Sequence, residues 1–187
     1  MSTVLDRPAP AAWADEDDGD ERYEILDGVR VELPPMSASN AVLAGRLARR
    51  MSNFADPAGV GEAHPDVLIK LPLLLDRNRR PDVAFVPYSR WPRDRPVPRG
   101  NAWEVLPDLC VEFVSPTDRA NDVREKVAEY VAAGVRLVWV LYPELGLADV
   151  YEAADRVRVL TRADSLDGGP VLPGFTLPLA ELFPPPG

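Results

Sequence analysis

Residues 107–142 read PDLCVEFVSPTDRANDVREKVAEYVAAGVRLVWVLY, and their patterning decides the fold. Segment 109–114 is an apolar, strand-forming run interrupted by one acid, Glu112. The turn Ser115-Pro116-Thr117-Asp118 offers helix-capping side chains, and 119–133 then carries Val123, Val127, Tyr130 and Val131 on one helical stripe until Gly134 ends it. Segment 136–142 is a second buried-strand pattern. Strand, helix and strand in this order pair their strands in parallel and place polar ligands at the strand ends and the adjoining loop.

Glu112 is costly where it stands. A bare carboxylate inside a run of Leu, Cys, Val, Phe and Val is unfavourable by several kcal/mol, so it must be paired, hydrogen-bonded or coordinated to a metal. Lys126 lies about 60° to one side of the helical stripe, close enough for its long side chain to curl along the sheet edge. Of the 21 Lys and Arg residues only Lys70 and Lys126 are lysine, so arginine serves wherever a generic positive charge suffices. A lysine can orient a water as its compact ammonium and deprotonate one as its neutral amine, which an arginine, effectively always charged, cannot. A solvated lysine paired with Asp122 or Glu129 along the helix is the plainer reading.

Working upstream, Pro81 introduces a short apolar strand, 83–86, with Asp82 at its start. Val67, Ile69 and Leu71 alternate with Leu68 and Lys70 as a half-exposed strand, and 23–26 and 29–33 are strand-like runs about the Asp27-Gly28 hairpin turn. Ser37 or Ser39 can cap a helix running to about Phe54, with Val42, Leu43, Leu47 and Met51 inward. His64, the only histidine, precedes Pro65 in an expected loop, which excludes a multi-histidine zinc site; one cysteine, Cys110, excludes a thiolate cluster. Downstream, 148–160 and 171–183 read as short antiparallel edge strands. The pattern predicts an α/β fold: a mixed β-sheet flanked by helices, with an N-terminal hairpin and C-terminal antiparallel edge strands.

Charge divides the chain. Residues 1–24 hold eight acidic residues against two arginines, so 1–22 reads as an acidic, partly disordered leader before one domain over 23–187. The formal net charge of −9 argues against a general DNA-coating protein, but seven arginines face three aspartates in 76–99. That excess predicts a modest phosphate-facing patch in which Arg79 and Arg80 hold substrate, with Tyr88 and Trp91 able to stack on a base. Neither a signal peptide nor an apolar run of ~18 residues is present, and the lone cysteine needs no partner, so a cytoplasmic location without membrane contact is expected.

Phosphodiester hydrolysis needs a hard cation held by one or two carboxylates and a positive charge beside phosphorus. Asp82, Glu112 and Lys126 offer those groups on adjacent elements, and Glu24 could join the acids. Five ordered motifs then carry a resemblance: Tyr-Glu-Ile-Leu-Asp-Gly at 23–28, Arg-Pro-Asp-Val-Ala-Phe-Val at 80–86, Pro-Asp-Leu-Cys-Val-Glu-Phe-Val-Ser-Pro-Thr-Asp at 107–118, Arg-Glu-Lys at 124–126 and Tyr-Val-Ala-Ala-Gly-Val at 130–135. With the closing Leu-Pro-Gly-Phe-Thr-Leu-Pro-Leu-Ala-Glu-Leu-Phe at 172–183, 23–183 resembles the Uma-type family of restriction-endonuclease-like nucleases in the PD-(D/E)xK superfamily.

The resemblance implies a restriction-endonuclease-like fold and a metal-dependent endonuclease acting on nucleic acid, DNA foremost. Asp82 and Glu112 would bind Mg²⁺ (or Mn²⁺) with the backbone carbonyl of Phe113. The lysine usual two residues after the second acid, where Val114 stands, would be displaced to Lys126. Asn40 occupies a position often held by histidine, and could contact a phosphate or a metal-bound water; Val29 replaces a frequent glutamate. Cutting two strands with one site per chain invites a homodimer. A catalytically degenerate domain of the same fold, binding nucleic acid or protein, is the alternative.

Overall fold

A computed structural model describes residues 22–71, 76–99 and 102–183; residues 1–21 of the expected leader lie outside the described residues. The first elements are a hairpin, β1 (Tyr23–Leu26) and β2 (Val29–Glu32), with Leu26 paired to Val29. Asp27 and Gly28 between them have φ of 52° and 76°, the left-handed conformation that Asp-Gly adopts at least cost. Helix α1 (Ala38–Ala55) follows, capped by Ser37, whose hydroxyl accepts the Asn40 N–H at 3.2 Å. Then come β3 (Gly61–Pro65), β4 (Ile69–Lys70), β5 (Asn78–Arg79), β6 (Val83–Pro87), β7 (Leu109–Phe113) and α2 (Ala120–Ala133). The remainder is β8 (Leu137–Tyr142), β9 (Leu147–Ala153), β10 (Arg156–Leu160), β11 (Ser165–Gly168), β12 (Leu172–Pro178) and α3 (Leu179–Leu182).

The principal sheet has six strands in the order β10-β9-β8-β7-β6-β3. β7 and β8 are parallel, joined by α2, and the other neighbours are antiparallel. A four-stranded sheet, β2-β1-β5-β4, and the ribbon β11-β12 complete the layers. Alternation along the central strands sends Val83, Phe85, Leu109, Val111, Trp139 and Leu141 into a core shared with α1, β12 and α3. Their neighbours Ala84, Cys110, Val138 and Val140 pack against Val127, Tyr130 and Ala133 of α2 and Ile69 of β4. Because both faces are covered, these strands read as continuous apolar runs. Glu112 points to the α2 face.

Several expectations need correction. Val42 is 59% exposed, because the buried stripe of α1 centres on Leu43, Leu47 and Met51 and runs through Ala44 and Ala48. His64 lies in β3 and not in a loop; its strand is defined by pairing with β6, and its ring meets Trp103 edge-on at 5.0 Å. The strand expected at 67–71 contracts to Ile69–Lys70, and the unforeseen β5 pairs on both edges. The turn before α2 does not cap it: Asp118 accepts the Ser115 N–H at 2.7 Å, and Arg119 takes the N-cap position without a side-chain bond. The 171–183 strand gives way to α3 after Pro178.

Gly134 ends α2 as expected, at φ 98°, with its N–H bonded to Tyr130 and Val131 carbonyls. A Cβ here would sit 3.3 Å from Leu106 Cδ2. Gly134→Ala should therefore cost about 1–2 kcal/mol, read as a lower urea midpoint at unchanged slope.

Candidate active site

The register of β6 on β7 pairs Val83 with Val111, Ala84 with Cys110 and Phe85 with Leu109. Continued one residue, it sets Asp82 opposite Glu112, on the same face of the sheet. Asp82 Oδ2 accepts the Phe113 N–H at 2.6 Å, so the aspartate side chain extends the ladder where the backbone pairing stops. Glu112 takes two donors from α2: the Tyr130 hydroxyl on Oε1 at 2.6 Å and the Lys126 ammonium on Oε2 at 3.1 Å. Residues four apart on a helix share a face, which brings both donors to one carboxylate.

The network continues through β1. Lys126 Nζ is 3.2 Å from Glu24 Oε1, so its partners are Glu112 and Glu24, not Asp122 or Glu129. Glu24 also accepts from Arg79 Nη1 at 2.8 Å and from the Arg80 backbone N–H at 3.0 Å. Arg79 Nε is 2.5 Å from Glu129 Oε2, and Arg77 is 2.9 Å from Glu129 Oε1. The acids and bases thus alternate from the sheet, through the hairpin and β5, back to α2.

Burial pushes the Glu112 carboxyl up, and Lys126 and Tyr130 oppose that only in part. Burial and then the Glu112 charge push Asp82 up to about 7, against the Phe113 N–H, Lys126 and Arg22, whose Nη2 lies 3.9 Å from Asp82 Oδ1. Burial would make Lys126 neutral, but Glu112 and Glu24 outweigh it and hold the amine above the ordinary lysine range. Lys126 is therefore an ammonium at neutral pH, with N–H groups that can orient a water. Burial would likewise raise Glu24, yet Lys126, Arg79 and the Arg80 N–H hold it below its usual value.

The donors available to a metal are hard oxygens. The Phe113 carbonyl points to the same strand edge as the N–H that Asp82 accepts, and receives Asn40 Nδ2–H at 3.3 Å. Two carboxylates and a carbonyl suit Mg²⁺, which keeps several waters and seldom uses an all-protein cage. Among the described residues no group of three or more His, Cys, Asp or Glu is arranged to hold a metal ion. Asp82, a mostly buried acid short of positive charge, supplies an electrostatic reason for a cation there. A cavity of about 90 Å³ lies beside Glu112, lined by Glu112, Phe113, Val114, Arg119, Asp122 and Lys126 among others.

The arginine patch takes a different form from the one expected. Arg79 is 4% exposed with its guanidinium spent on Glu24 and Glu129, so it braces the acids and does not face a phosphate. Arg80 donates to the Asp66 carbonyl at 2.9 Å and lies over the Tyr23 ring. Arg90 pairs with Asp108 and Arg93 with Asp56; Arg95 covers Trp91, and Tyr88 donates to Asp56. Local composition counts charges but not their nearby partners. Tyr130 and Arg22 were missed: a phenol in an apolar stripe reads as core, and Arg22 falls in the acidic leader. The Lys126–Tyr130 spacing was the available signal for the first.

The family model Uma2, described as "Putative restriction endonuclease", matches residues 10–180. The chain belongs to the Uma2 family. Among solved structures, a "putative nuclease belonging to DUF820" from Anabaena variabilis ATCC 29413 superposes on this Uma2 chain with a TM-score of 0.74. The two share 19% identity, over 86% of this chain and 89% of that one, a likeness of fold. The fold is restriction-endonuclease-like. No curated protein matches. Uma2 membership supports a nuclease, an enzyme that hydrolyses nucleic acid. Among the described residues no helix is long and apolar enough to cross a membrane.

The Asp82 environment has a signed consequence for stability. Its folded-state pKa of about 7 lies above the ordinary 3.8, so the folded protein holds an extra proton between those values and loses stability as pH rises through them. In chelator, Asp82→Asn should match wild type at pH 4 and exceed it at pH 8 by on the order of 2–4 kcal/mol, measured by urea unfolding at both pH values.

Proposed function

We propose that this chain is a Mg²⁺- or Mn²⁺-dependent endonuclease hydrolysing phosphodiester bonds in DNA, with Asp82, Glu112 and Lys126 as its catalytic residues. The observation that carries the reading is the pair of facing carboxylates on neighbouring strands, Glu112 buried and Asp82 mostly so, beside one mostly buried ammonium, with Asp82 left short of positive charge. Asp82, Glu112 and the Phe113 carbonyl would hold the ion. When bound, it supplies Lewis acidity toward a phosphoryl oxygen and a lower pKa for a water. Lys126, kept charged by Glu112 and Glu24, orients the attacking water and offsets negative charge at phosphorus. Asn40 steadies the Phe113 carbonyl.

Arg119 is a better phosphate contact than Arg79. It is exposed, lines the cavity beside Glu112, and its side chain makes no hydrogen bond or ion pair among the described residues. A homodimer would present two such sites to two strands. A cytoplasmic location fits a DNA substrate and the free, buried Cys110.

One observation favours the other reading, a binding-only domain: both oxygens of Glu112 and of Glu24 already have donors. Plasmid nicking in Mg²⁺ or Mn²⁺ separates the two. Wild type should nick, and Glu112→Gln and Lys126→Gln should each be slower by about 10²-fold or more. Nicking by Glu112→Gln at the wild-type rate would sink the enzyme reading, as would calorimetry in which Asp82→Ala binds the metal as wild type does. Arg119→Ala should raise KM several-fold at nearly constant kcat, the mark of a lost substrate contact.

A further inference from the structure

We propose that Tyr130 is a positioning residue for the metal-binding carboxylate: its hydroxyl fixes the orientation of Glu112. The inference rests on the nuclease reading above and extends it to a residue that touches neither substrate nor ion. Tyr130 is fully buried, and its ring packs with Cys110, Val127 and Val138. A phenylalanine would fill that space without desolvating a hydroxyl, so packing alone does not account for a tyrosine. The hydroxyl is accounted for by Glu112 Oε1, 2.6 Å away.

The geometry explains why a second donor is needed. Lys126 holds only Oε2 of Glu112 and is shared with Glu24, at 3.1 and 3.2 Å. One shared cation leaves the carboxylate free to turn about its own axis; a donor on each oxygen fixes its plane. Both donors rise from one turn of α2, so they move as a unit. The Tyr130 carbonyl accepts from Gly134 and from Val135, the latter at 2.9 Å, which anchors its backbone at the helix end. A phenol is also neutral. It orients Glu112 without cancelling the charge that would attract a cation, as a second lysine there would.

The test is Mn²⁺ titrated calorimetrically into the full-length protein, with DNA cleavage kinetics alongside. Wild type should bind Mn²⁺, and Tyr130→Phe should bind it about 10- to 100-fold more weakly, the usual effect of losing a hydrogen bond to a metal ligand. Its kcat should fall while KM for DNA stays constant. Tyr142→Phe, which removes the hydroxyl bonded to Asp149 at 3.1 Å, should bind Mn²⁺ as wild type does. Equal Mn²⁺ affinity in wild type and Tyr130→Phe would overturn the proposal alone, as would equal weakening in Tyr142→Phe. A wild type that binds no Mn²⁺ would overturn the nuclease reading and this proposal with it. Should Tyr130→Phe fail to fold, Tyr130→Met, also without the hydroxyl, is read against the same outcomes.

Discussion

A carboxylate near the end of a strand covered on both faces is largely cut off from bulk water, and most of the polar architecture answers that fact. Glu112 must be met from within the protein, and Lys126 and Tyr130 meet it from α2. The ammonium is itself mostly buried, which calls for a second acid, Glu24. Glu24 is more buried still and takes Arg79; Arg79 needs Glu129, back on α2. Leaving any one of these charges alone would cost several kcal/mol, so the chain of pairs binds the N-terminal hairpin, the small sheet and the helix to the central sheet.

Compensation is uneven along that chain. At the far end Arg79 and Arg77 together meet Glu24 and Glu129, with Glu125 close by. At the near end Asp82 has one backbone N–H and a guanidinium 3.9 Å away, which itself is committed to Asp66 at 2.9 Å. Among the described residues the acids at the far end are the better compensated, while Asp82 and Glu112, facing each other at the near end, are both pushed toward the neutral form by burial, which is where an added positive charge would be most favourable.

The strand–helix–strand unit was legible in the sequence because burial on both sides makes β7 and β8 apolar throughout and helical periodicity marks α2 between them. The hairpin was legible because Asp27-Gly28 needs positive φ. Strands β3 and β5 were not: they are short and partly polar, and exist because a neighbour pairs with them. The three candidate catalytic residues were readable from type and spacing, and the structure brings them together. Which arginine faces solvent was not readable, since Arg79 and Arg119 are alike in sequence and differ only in whether the fold surrounds them with acids.

The division of labour between lysine and arginine follows from shape. Arg79 spans two carboxylates on different elements through separate nitrogens, Nε and Nη1, of one rigid planar fork, whereas an ammonium must bring both partners to a single nitrogen. Lys126 sits between Glu112 and Glu24 and lines a small cavity, where the bulkier guanidinium would take up more of the space. Lys70 shows that scarcity alone proves nothing, for it lies on the surface 3.1 Å from an exposed Glu104. What singles out Lys126 is a compact charge held between two buried acids, with its remaining donor capacity available to the cavity rather than to a third partner.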